Sequence, residues 1–177
     1  FGAGRRVELS KKISEGLSAR DVRNGIFDRP SARLLFDHLF GETENWNRTI
    51  RWGTRPWIRS LLKLDRVDDL KGCNFSAFRE DLFSINGFDE AYEGYGREDT
   101  DLELRMLHSG LRRRSLKGIA LEFHVWHERR GFTPRNDSLL ESVRASRRIR
   151  CERGIEGGDS SGIAVLGEGG GSSAEPT

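Results

Sequence analysis

Gly94-Tyr95-Gly96-Arg97-Glu98-Asp99-Thr100-Asp101 is the stretch whose reading decides the fold. Two glycines bracket an aromatic ring, and two adjacent carboxylates follow. Leu102, Met106 and Leu107 then recur at helical spacing, and Gly110 stands where a C-terminal cap belongs. The pattern predicts a helix with Glu98 and Asp99 in or just before its first turn. Unpaired N–H groups and the helix dipole favour ionised carboxylates there. Taken alone, the same residues also describe an ordinary acidic helix start with an Asp cap.

The flanking blocks narrow the reading. Upstream stand Lys71-Gly72-Cys73-Asn74-Phe75-Ser76-Ala77-Phe78-Arg79-Glu80-Asp81-Leu82 and then Asn86-Gly87-Phe88-Asp89-Glu90. Gly72 to Phe78 reads as a strand, Arg79 to Ser84 as a short helix and Asn86-Gly87 as a turn. Downstream, Ile119 to His127 reads as a second strand containing Leu121-Glu122-Phe123-His124-Val125-Trp126-His127. In this order and at these spacings, residues 71–130 resemble the C-terminal half of family 2 glycosyltransferases. More narrowly, they resemble the galactosyltransferase-type C-terminal domain of bacterial enzymes that extend lipopolysaccharide core or capsule glycans. A weaker similarity reaches back to Gly4-Arg5-Arg6-Val7.

The resemblance implies an α/β fold, the C-terminal part of a Rossmann-like GT-A nucleotide-sugar transferase. The two strands are then expected as central neighbours in one sheet, with Leu102 and Met106 packed inward. It also implies roles. Asp99 matches the general base of an inverting, in-line displacement, and Glu98 a residue that bonds substrate hydroxyls. Gly72, Asn74, Gly94 and Gly96 are expected near substrate, with Tyr95 as a stacking face where relatives often carry Trp. Arg97 stands where some relatives have Gly. His124 matches a histidine that joins an upstream aspartate on a divalent metal, Mn²⁺ or Mg²⁺, and His127 is a second candidate. Side chains three apart on a strand face opposite ways, so both can serve one ion only if the chain turns between them. His38 is expected to be structural or solvent-facing, and His108 structural.

The family's N-terminal half carries the nucleotide-binding strands and an Asp-x-Asp metal motif. The chain starts at Phe1 downstream of both, which implies a fragment with little activity alone. The partners implied are a nucleotide-sugar donor and a saccharide acceptor. A second class stays open, a non-catalytic module that binds a glycan or a protein. An upstream reading frame continuing into an Asp-x-Asp motif would favour the enzyme; a start codon near Phe1 would favour the module.

Three regions follow. Residues 1–70 form a linking strand and helical segment, with Arg5 to Leu9 as a strand and a helix through Leu34, Leu35 and Leu39. Residues 71–153 form the acceptor and catalytic region. Residues 154–177 hold eight glycines and no Lys or Arg, a composition expected to be disordered. Charge is divided as well. Residues 80–103 hold nine acids and one base, and residues 111–153 twelve bases and five acids. Cys73 and Cys151 form no disulfide framework or zinc motif, and Cys73 is expected to be a small buried residue.

Trp46, Trp52 and Trp57 alternate with Arg48, Arg51, Arg55 and Arg59. Such a segment suits a membrane interface facing anionic lipid. It equally suits a helix that packs Trp57, Leu61 and Leu64 on the domain with its arginines in water. No nucleic-acid motif accompanies it, and no apolar run approaches the roughly 18–20 residues of a membrane span. The expected location is the cytoplasm, with this segment as a peripheral contact on the inner face of the plasma membrane.

Overall fold

The computed structural model describes residues 1–28, 30–50, 55–66, 69–128 and 131–156. The N-terminal segment forms β1 (Gly2–Ala3) and β2 (Arg5–Glu8). Three helices follow: α1 (Lys11–Glu15), α2 (Ala19–Arg23) and α3 (Ala32–Phe40). Ser10 caps α1 by accepting from the Ile13 N–H, and Ser18 with Asp21 makes a reciprocal capping box on α2. A 3-10 turn (Trp46–Thr49) leads to α4 (Pro56–Leu61), which opens on proline. Then come β3 (Phe75–Ser76), α5 (Arg79–Ser84), α6 (Glu98–His108), β4 (Arg114–Ser115), β5 (Leu121–His124) and α7 (Arg135–Ser146).

The architecture is mixed α/β, with two small sheets. One has the order β3-β1-β4, antiparallel then parallel, and the other pairs β2 with β5 in parallel. The two strands expected side by side therefore lie in different sheets, a correction to the sequence reading. The N-terminal segment joins them by changing partners at Gly4. Its N–H donates to the Asn74 carbonyl at 2.8 Å, and the Asn74 amide donates to the Arg5 carbonyl at 2.7 Å. A Cβ at Gly4 would collide with that amide. The strand expected over residues 72–78 shrinks to two residues. Its start is a turn closed by Asn74 N–H to the Lys71 carbonyl, and Phe78 is already the cap of α5. Cys73 sits in that turn and is exposed rather than buried; Cys151 is the buried cysteine.

Two apolar clusters support the halves. Val7, Leu9, Ile13 and Leu34 pack with Phe27, Trp46 and Phe123. Leu70, Ile85, Leu102 and Met106 pack with Phe75, Leu82 and Leu111, so α6 turns its predicted face inward. Beneath α6 lies an ion pair. Asp101 and Arg105 are both 0% exposed, and Arg105 donates to Asp101 Oδ2 through Nε and Nη2 at 2.8 and 2.7 Å. Its remaining N–H groups reach the Ile85 and Gly87 carbonyls at 2.7 Å each. Burial pushes the Asp101 carboxyl up, and Arg105 opposes that push. With these four bonds, the guanidinium ties the Asn86-Gly87 turn to the helix.

Helix α4 departs from the packing reading. Trp57 and Leu61 are 63% and 72% exposed, while Arg59 reaches inward to the Ser115 and Lys117 carbonyls at 2.9 Å each. Trp46 does pack, against the first cluster. Trp52 and residues 157–177 lie outside the described residues. Within the Gly-rich stretch, Ile155 and Glu156 donate their N–H groups to Asn86 at 3.1 and 2.7 Å, so residues 154–156 lie against the domain. Among the described residues no helix is long and apolar enough to cross a membrane.

Candidate functional site

Asp99 occupies the first turn of α6. Its Oδ2 accepts the Gly72 N–H at 2.9 Å, and a Cβ on residue 72 would collide with the same carboxylate. One turn further on, Glu103 Oε1 accepts the Leu70 N–H at 3.2 Å. Two carboxylates four residues apart share a helix face, so α6 grips the 70–72 loop at two points. Gly72 thus fixes the Asp99 carboxylate, and Asn74 spends its amide N–H on the Arg5 carbonyl. Asp99 also lines a cleft of about 340 Å³, together with Glu98, Tyr95, Gly96, Lys71 and Phe132.

The loop before α6 is shaped by the segment that follows β5. Side chains added at Gly94 and Gly96 would strike Thr133 Oγ1 and the Phe132 ring, and both glycines have φ in the left-handed region. These glycines therefore make room for residues 131–133 as well as for any ligand. Asn136 on α7 clamps the loop through the Glu93 and Gly96 carbonyls at 3.1 and 2.8 Å. Arg97 holds a φ of 78°, costly for a side chain with a Cβ. Its guanidinium bonds Asp137 at 2.7 Å and lies 5.4 Å from the centroid of the Phe132 ring. Phe132, 46% exposed, is the residue the sequence reading missed. A lone aromatic in Gly131-Phe132-Thr133-Pro134 carries no periodic signal; its only clue was nearness to the histidine block.

The histidines line a second and larger cleft of about 1020 Å³, with Glu8, Glu44 and Trp126 on its walls. The chain does turn between them. β5 ends at His124, and the Trp126 N–H donates to Ser14 Oγ at 2.8 Å. That bend brings His127 back, so His124 Nε2 and His127 Nε2 stand 3.1 Å apart. His124 Nδ1 lies 3.4 Å from Glu122 Oε1, and His127 Nδ1 lies 2.9 Å from the Glu128 carbonyl. The two Nε2 atoms satisfy each other when one carries a hydrogen and donates it, and when both rings carry theirs on Nδ1 the two lone pairs face a common point. Two nitrogens about 2.1 Å from one ion and roughly at right angles would stand about 3 Å apart. The pair fits a divalent ion. Among the described residues no group of three or more His, Cys, Asp or Glu converges on one point.

Tyr95, 47% exposed, lines both clefts and forms a wall between them. His38 also borders the larger cleft, but its Nδ1 is tied to the Thr43 carbonyl at 2.7 Å, and His108 Nδ1 to the Arg148 carbonyl at 3.0 Å.

Comparison with known proteins meets this geometry on the same segment. Residues 63–128 match a family described as the N-terminal domain of galactosyltransferase, where the sequence reading had placed a C-terminal one. Human chondroitin sulfate N-acetylgalactosaminyltransferase 1 is 42% identical over 55 residues, 30% of this chain and 10% of the relative. The mouse protein of the same name is 41% identical over 54 residues, 29% of this chain and 10% of the relative. The chain thus spans about a tenth of the length of these curated relatives. No solved structure gives a significant match. The segment that holds Asp99 and both histidines is thus similar to a glycosyltransferase domain.

Proposed function

We propose that this chain is the acceptor-side portion of an inverting hexosyltransferase that moves a sugar from a nucleotide-sugar to a saccharide hydroxyl of a cell-surface glycan. The observation that carries the proposal is Tyr95, one aromatic wall common to the Asp99 cleft and the histidine cleft. A sugar passing from one side to the other needs this juxtaposition, with base and diphosphate on opposite sides of the anomeric carbon.

In this reading the acceptor enters the smaller cleft, where Glu98 takes a hydroxyl hydrogen bond and Tyr95 and Phe132 offer ring faces. As the acceptor oxygen bonds to the anomeric carbon, the bond from that carbon to the diphosphate oxygen breaks. The hydroxyl proton passes to Asp99. A carboxylate is a weak base in water, but the hydroxyl grows acidic as its new bond forms, so an anchored aspartate is adequate. Gly72 holds one carboxylate oxygen and leaves the other for the proton. His124 and His127 would hold a divalent ion, Mn²⁺ or Mg²⁺, whose charge stabilises the departing diphosphate when bound. Mn²⁺ suits imidazole better than Mg²⁺ does.

The test is Asp99→Asn in the full-length enzyme. Turnover should fall by about 10²-fold or more, with donor affinity little changed. Near-wild-type turnover would remove Asp99 from the role of base.

A further inference from the structure

Helix α4 is built inside out. Its central polar residue points into the domain: Arg59 meets the Ser115 and Lys117 carbonyls and Asp65. Its apolar residues Trp57, Leu61 and Leu62, at i, i+4 and i+5, face away from the domain and are exposed. An apolar helix face turned from the core has lost the burial that usually stabilises it, and among the described residues nothing covers it.

The charges around the face say which partner. Arg55, Lys63 and Arg66 are exposed and have no carboxylate partner among the described residues, while Asp65 is taken by Arg59. Among residues 55–66 the result is a small apolar ridge whose free charges are all positive. An anionic lipid surface complements both parts, because Trp and Leu enter the boundary of headgroups and acyl chains while basic side chains stay with the headgroups. We propose that α4 seats the protein on an anionic membrane surface, with Trp57 and Leu61 as the inserted residues.

Co-sedimentation of the 177-residue chain with vesicles tests this. Vesicles of phosphatidylcholine mixed with phosphatidylserine should carry the protein down at physiological salt, and phosphatidylcholine alone should not. Trp57→Ala with Leu61→Ser should weaken binding about tenfold or more. Lys63→Glu should weaken it about fivefold or more, the effect of one basic residue near the surface. The three side chains are exposed, and unchanged circular dichroism would show that the variants remain folded. Three results would overturn the proposal. One is absence of binding to anionic vesicles, and another is binding that both variants retain. The third is concentration-dependent self-association abolished by Trp57→Ala without vesicle binding, which would assign the face to a second copy of the chain.

Discussion

Asp99 stands on a helix of 11 residues, and His124 at the end of a four-residue strand. Below Asp99 lie a packed apolar face, the Asp101–Arg105 ion pair and the double grip on the 70–72 loop. His124 rests on the pairing of β2 with β5, and His127 on a bend held by the Ser14 hydroxyl and by Lys11 over the Trp126 ring. One cleft is preformed down to its base, whereas the other depends on a loop and on whatever the two imidazoles share. In the proposed reaction this difference would divide the labour, with the proton acceptor held rigid and the leaving-group side adapting to its ligand.

The largest effect should come from attacking the rigid side. Asp101→Asn leaves the Arg105 guanidinium buried without its counter-charge, which should cost about 3–5 kcal/mol of unfolding free energy. Denaturant titration measures it. A loss below about 1 kcal/mol, the usual scale of a surface pair, would show that the helix side does not rest on this pair.

Next comes the adaptable side. In the full-length enzyme His124→Ala should raise the Mn²⁺ concentration needed for half-maximal activity about tenfold, with His127→Ala doing so less. His124 is half-buried on the strand, and His127 is exposed on the bend. A clear shift in His127→Ala with none in His124→Ala would exchange their roles.

The smallest effect concerns the rim of the larger cleft, where Thr43 Oγ1 donates to Asp37 Oδ2 at 2.6 Å. Burial acts to raise the Asp37 carboxyl, but hydrogen bonds from Thr43 and Ser10 outweigh it and hold the group below the usual carboxylate range. A carboxyl lowered by folding stabilises the protein above its unfolded value of about 3.9. That contribution is lost as pH falls through the lower folded value. Asp37→Asn should therefore cost about 1 kcal/mol at neutral pH, a deficit that closes in acid below about pH 3.9. A deficit constant with pH would mean the loss is one of shape.

Local signals were legible and distant ones were not. The inward face of α6, the bounds of α5 and the proline start of α4 come from spacing and capping within a few residues. The sheets escaped because β1, β3 and β4 have two residues each, too few to show alternation, and because the switch at Gly4 depends on Asn74. The return of His127 was left open because the hydroxyl that bends the chain belongs to Ser14, in the first helix. The orientation of α4 was hidden because Arg59 is drawn inward by two backbone carbonyls, groups that every residue has and no sequence marks.

The partner switch at Gly4 also sets an order in time. β1 and β2 leave the ribosome before every strand they pair with, and Arg5 meets Leu121 only after more than half of the chain has been made. Helices α5 and α6 can close around local contacts as they emerge. The first strand must wait with its edges unpaired, an interval in which a chaperone or a neighbouring nascent chain competes for it. The segment that joins the two sheets in the finished molecule is thus made first and settled only after Leu121 has emerged.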